Sequence, residues 1–281
     1  EGNTIPFIAR YRKEMTGSCD DQVLREFNDR LLYLRNLEKR KEEVAKSITD
    51  QGKMTEEIQK ALDTAATLTE VEDIYRPYKQ KKKTRASVAI EKGLQPLADL
   101  ILAQDKNVDV RAEAEKYVDE EKGVANADDA IAGAKDIIAE IVSDDANVRK
   151  KLRNLFMKNG EVQTKLVNAD KEGAKTYEMY ADYSEAVAEI KSHRVLAVNR
   201  GEKEDFLKVK VVFNDEIAKR IAGAGYLKDG GYSTQLVKEA VDDGYDRLIY
   251  PSIEREIRAA LTESASEQAI KMFEVNLKPL L

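Results

Sequence analysis

Between residues 20 and 51, Leu24, Phe27, Leu31, Leu34, Leu37, Val44 and Ile48 recur at helical spacing and draw one apolar stripe. At ~1.5 Å per residue a helix of this length runs about 45 Å. It is too long to be buried all round, so the chain must be organised around long helices with one covered and one solvated side. Ser18 and Asp21 are placed to cap the start of this helix, and Gly52 to end it. The rest of the 281 residues fits that plan: 14 Gly and 5 Pro give few breaks, and a charged fraction of 36% supplies solvated faces.

A second helix is expected after Thr55, with Ile58, Leu62 and Ala65 inward. Thr69 to Glu72 reads as a capping box, and Pro77 stops the short helix that follows. Pro96 opens a helix carrying Leu97, Leu100 and Ile101. From 105 to 145 the charge changes sign, with 13 acidic against 5 basic residues. Paired helices are expected there at about 109–122 and 127–143, followed by one at 146–158 that stops at Gly160. The expected domains are therefore a helical scaffold at 1–104, an inserted acidic helical subdomain at 105–183, and a part at 184–281 with a hairpin and helices. The β signal comes late. The runs 193–199 and 206–213 read as strands, the second alternating Leu207, Val209, Val211 and Phe213 with Lys208 and Lys210. Residues 199–205 join them as a hairpin with Arg200 and Lys203 at its tip. Helices resume at about 214–224 and 233–249, and a last long one starts near Pro251 with Ile253, Ile257, Leu261, Ile270, Phe273 and Leu277 inward. The fold class is mainly α, a multi-helix scaffold with long helices and one β-hairpin.

Catalytic chemistry has few residues to draw on. Cys19 is the one cysteine and His193 the one histidine, so neither a disulfide nor a zinc site is expected. His193 has no Ser or Cys nucleophile at readable spacing and is expected to open the hairpin. Gly223, Ala224 and Gly225 end a helix where a dinucleotide fingerprint would open one. No enzymatic activity, cofactor or metal is expected. With no apolar run near ~18 residues and no signal peptide, the chain reads as soluble, cytoplasmic and without a membrane partner. It opens on Glu1 without an initiator methionine and reads as a fragment.

The exception is a basic segment. Lys79, Lys81, Lys82, Lys83 and Arg85 are five of seven consecutive residues, with Tyr75 and Tyr78 just before them. Cations beside aromatic rings are how single strands are held, the rings stacking on bases and the charges meeting phosphates. Arg200 and Lys203 form a second, smaller candidate. A net charge of −6 argues against wrapping duplex DNA over a large surface, so contact through this chain is expected to be weak and local.

Several stretches resemble the bacterial Tex family. They include GNTIPFIARYRKEMTG at 2–17, LLYLRNLEKRKEEV at 31–44, TLTEVEDIYRPYKQKKKTRA at 67–86, DDAIAGAKDIIAEIVSD at 128–144, SHRVLAVNRGEKE at 192–204 and YPSIEREIRAALTESASEQAI at 250–270. The resemblance covers essentially the whole chain in order. It implies the family's N-terminal helical region, ending about where a resolvase-like domain begins and without the helix-hairpin-helix motifs and OB-type RNA-binding barrel. It also implies one helix-turn-helix-like unit, for which the helices of 105–158 are the candidate, although their acidity suits DNA-groove contact poorly. No catalytic residue carries over. The function implied is a non-enzymatic scaffold of a transcription accessory protein that associates with RNA or DNA. The alternative is a protein-interaction module docking on RNA polymerase or another partner.

Overall fold

The computed structural model describes residues 4–17, 21–80, 82–229 and 231–277. It is mainly helical, with one small antiparallel sheet. The chain divides into two compact units, up to Lys79 and from Gln80 onward.

The first unit holds α1 (Ile5–Tyr11), α2 (Asp21–Asp50), α3 (Glu56–Thr64) and α4 (Leu68–Tyr75). Ser18 and Cys19 lie outside the described residues. The long helix α2 forms where its stripe predicts and is followed by Gly52 at φ 68°. Only its second half is sealed. Leu37, Val44 and Ile48 are buried with Leu62 of α3 and Val71 of α4, whereas Phe27 stays 65% exposed. The reason is length: α3 and α4 together are shorter than α2. The cap of α4 sits two residues earlier than expected, since Thr67 Oγ1 accepts from Glu70 N at 3.2 Å and Glu70 Oε2 from Ala66 N at 2.8 Å.

The second unit is built around α8 (Ala127–Asp144), whose first turn is capped by Asn126 Oδ1 accepting from Asp129 N at 2.9 Å. Ala130, Ile131, Ala134, Ile137, Ile138 and Val142 are all buried. One side of α8 receives α5 (Arg85–Glu91), α6 (Gln95–Ala103) and α7 (Val110–Glu115), and another receives α12 (Tyr232–Gly244). Small residues allow the close approach: a Cβ on Gly244 of α12 would meet the Ala139 carbonyl oxygen at 2.9 Å. The segment 105–183 packs its apolar face against residues on both of its flanks. Its acids lie mostly on solvated positions, so the sign change marks a surface, while the apolar face beneath joins one continuous core running from Ala86 to Ile257.

Asp145 ends α8 and caps α9 (Ala146–Asn159), accepting from Asn147 N at 2.8 Å, and Gly160 then leads into β1 (Glu161–Leu166). β1 pairs antiparallel with β2 (Asp182–Ala186) on one side and with β3 (Leu207–Val212) on the other. The expected hairpin is thus corrected. Residues 193–199 lie in α10 (Ser192–Lys203), and the partner of β3 is β1. Short apolar runs fit either period; here Val195, Val198 and Gly201, three apart, are the buried residues, so the helical period wins. The alternation that defines β1, Val162 and Thr164 buried between Glu161, Gln163 and Lys165, is visible in the sequence, whereas β2 offers none. After α11 (Asp215–Gly223), α12 runs through a π turn at Tyr245–Ile249 into α13 (Tyr250–Leu277). Pro251 accounts for that turn, since proline gives no N–H and crowds the preceding carbonyl, and a widened turn relieves both. Among the described residues no helix is long and apolar enough to cross a membrane.

Candidate nucleic-acid interface

The two tyrosines of the basic segment belong to packing. Tyr75 OH shares a hydrogen bond of 3.0 Å with Ser47, its ring lies 5.6 Å from the Arg40 guanidinium, and Arg40 Nε donates to Glu72 at 2.6 Å. Tyr78 is half-buried against the same cluster and its carbonyl accepts from Gln51 at 2.9 Å. Neither ring is presented as an open stacking platform. Lys79 is exposed at the end of the first unit, and Lys81 lies outside the described residues.

Lys82, Lys83 and Arg85 are exposed at the start of the second unit. Thr84 fixes this end of α5 by a reciprocal cap with Ser87, at 2.8 and 3.0 Å, and its hydroxyl donates to Glu140 of α8 at 2.9 Å. Lys83, Arg85 and Lys92 line an open cleft between α5 and α8, with Asp129 and Asp136 opposite. Burial lifts the Asp136 carboxyl above its ordinary range, against the pull of Arg247 at 3.1 Å and of Arg85. The cleft is electrically mixed.

A stronger basic surface lies on α9. The helix carries Arg149, Lys150, Lys151, Arg153 and Lys158 and no acid. Its cations divide by face. Arg149 is fully buried, donating to Ser252 at 3.0 Å and to Glu256, while Arg153 Nε donates to the other oxygen of Glu256 at 2.9 Å. Burial opposes the charge on Glu256, but the two guanidiniums outweigh it and hold the carboxyl below the usual glutamate range. These two arginines fasten α9 to α13. On the solvent side Asn147, Lys150, Lys151, Asn154 and Lys158 are exposed at steps of three, four, seven and eleven residues, which is one helical face. The signal in the sequence was a run of five cations without an acid inside a chain of net charge −6. At ~1.5 Å per residue that face is about 17 Å long, and an α-helix fits a DNA major groove about 12 Å wide.

Arg200 and Lys203 are exposed, but on the last turn of α10 instead of a hairpin tip. His193 is exposed in the first turn of the same helix. Among the described residues no group of three or more His, Cys, Asp or Glu side chains is placed to hold a metal ion.

Residues 105–273 match the family described as Tex central region-like, and residues 1–49 the Tex-like protein N-terminal domain. Over 283 residues the chain is 46% identical to an uncharacterized protein of Bacillus subtilis, covering all of this chain and 39% of that protein. It is 38% identical over 290 residues to the transcriptional accessory protein Tex of Neisseria gonorrhoeae, again over all of this chain and 38% of the relative. The human S1 RNA-binding domain-containing protein 1 is 31% identical over 297 residues, with 29% of its length covered. The chain thus spans less than two fifths of the length of these relatives. On the match to the central region, the chain belongs to the Tex family.

Proposed function

We propose that this chain is a non-enzymatic helical scaffold of a Tex-type transcription accessory protein, working in the cytoplasm and contacting the phosphates of RNA or DNA. The observation that carries the reading is α9: two arginines lock it into the core while Lys150, Lys151 and Lys158 share its solvated face with Asn147 and Asn154. Lysines at this spacing neutralise phosphates, and asparagine is suited to the edge of adenine. The sharp α8–α9 turn at Asp145 supports reading this pair as the helix-turn-helix-like unit. Lys82, Lys83 and Arg85 serve as an auxiliary contact. The names of the relatives, a transcriptional accessory protein and an S1 RNA-binding domain-containing protein, fit this role.

The test is binding of labelled single-stranded RNA and duplex DNA across a salt series by the chain and by the triple variant Lys150→Glu, Lys151→Glu, Lys158→Glu. Three lost phosphate contacts flatten the log–log salt slope by roughly 2 to 3 and lower affinity at low salt at least about tenfold. Unchanged affinity and slope would remove α9 from the interface. A second reading, docking on transcription machinery, is favoured by the first half of α2, where Phe27 and Leu34 are exposed.

A further inference from the structure

The sheet has one face against the helices and one open to solvent. Val162, Thr164, Leu207, Val209 and Val211 point into the core, toward α10 and α13. The opposite positions of β1 and β3 present Lys165, Lys208 and Lys210, all exposed. In the β1–β3 register Lys165 stands directly opposite Lys208, and Gln163 opposite Lys210. Facing residues in such a pair lie about 5 Å apart, and residues two apart on a strand about 7 Å. Like charges directly opposite one another cost a sheet stability. Asp182 faces Lys165 across β2, yet none of the three lysines has an ion-pair partner among the described residues. Lys165 and Lys208 thus stand face to face with like charge, on a face that also carries Glu161 and Asp182 and, among the described residues, no exposed aromatic ring. The outer edge of β3 is occupied from the side by α13, with Glu254 accepting from Val211 N at 3.0 Å and Tyr250 donating to Val211 O at 3.0 Å. The open face, and not the edge, is what remains for a ligand.

We infer that the open face of the β2–β1–β3 sheet is a second nucleic-acid site, in which Lys165, Lys208 and Lys210 hold the phosphodiester backbone without reading bases. Lysines in the absence of stacking rings contact phosphates and give sequence-independent, salt-sensitive binding. Gln163 and Ser184 lie in one row with Lys210 and both donate to Glu161 on the same face, at 3.4 and 2.7 Å, so the lysines alone are left to meet phosphates. The inference rests on the reading that this chain associates with nucleic acid, but uses a surface separate in sequence from the solvated face of α9.

The experiment compares the chain, the sheet variant Lys165→Gln, Lys208→Gln, Lys210→Gln and the α9 triple variant, each titrated with labelled single-stranded RNA and with a DNA duplex of equal length over a salt series. The sheet variant is expected to lose at least about tenfold in affinity at low salt and to flatten the log–log slope by roughly 2 to 3, equally for unrelated base sequences. The arm with the larger loss identifies whether the backbone comes from single strands or duplex. A single variant, Lys208→Glu, adds a readout independent of folding failure: it turns the facing pair attractive, so it should melt at or above the temperature of the unaltered chain while binding less. If the sheet variant binds like the unaltered chain while the α9 variant loses affinity, the sheet site is overturned and the proposed function stands. If only the sheet variant loses affinity, the sheet site stands and α9 falls. No binding by the unaltered chain in either arm overturns both, and preference for an acidic polypeptide over both nucleic acids overturns the sheet inference in favour of a protein ligand.

Discussion

At the residue scale, the most consequential side chain is Arg149. It is fully buried and donates to Ser252 and Glu256, which offset part of the cost of burying its charge. Arg149→Met removes one charge and leaves Glu256 half-buried with Arg153 and the Ser252 hydroxyl, so a loss of about 3 kcal/mol is expected from the cost of breaking buried pairs. Thermal or urea unfolding measures it, and a cost under about 1 kcal/mol would show the pair to be incidental. The same site sets a pH dependence. The Glu256 carboxyl is held below its ordinary range, so the folded state binds fewer protons than the unfolded one. Its stabilisation is present above the ordinary glutamate range and is lost as pH falls through the lower folded value. Melting curves from about pH 3 to pH 7 should therefore show a steeper acid loss for the unaltered chain than for Glu256→Gln.

At the element scale, local chemistry and close packing act separately. Helix α8 begins at Asn126, and Asn126→Ala should cost about 1 kcal/mol without altering the fold, because one backbone donor of the first turn is left unmet. Gly244→Ala is a different kind of change. Helical propensity favours alanine, but its Cβ would stand 2.9 Å from the Ala139 carbonyl oxygen, and a backbone atom cannot step aside as a side-chain tip can. A net loss of about 1–3 kcal/mol is expected, read by denaturant midpoint, and a stabilised variant would show α8 and α12 to be less tightly apposed. The basic segment is tested at this scale as well. Lys82→Glu with Lys83→Glu should flatten the salt slope for single-stranded RNA by about 1.4, two contacts at roughly 0.7 each, and leave the melting temperature unchanged because both residues are exposed. Its tyrosines were legible as aromatic neighbours of a charge run but not as packing residues, because the hydroxyl of Tyr75 finds Ser47 only once α4 folds back on α2.

At the scale of the whole molecule, each unit has its own core, and the larger one has no internal seam at the ends of 105–183. Residues 82–281 expressed alone should melt cooperatively with native-like helix content. Residues 105–183 alone should not, because α8 would lose α5, α6 and α12, and β1 would lose β3. Circular dichroism of the two pieces decides this, and a cooperative 105–183 would show it to be a subdomain of its own. The sequence by itself determined several helices through features that act within a few residues: the stripe of α2, the start after Thr55 and the proline near the start of α6. Family membership was equally legible, in strings of residues that need no folding to be compared. Only the tertiary structure decided that 193–199 is helix, that β3 joins β1 past the intervening β2 and α10, and that α9 turns two arginines inward and three lysines outward. Those outcomes depend on partners distant in sequence. A short apolar run fits two periods until a neighbour covers one face, and a guanidinium becomes a lock only where a carboxylate such as Glu256 is brought to meet it in the core.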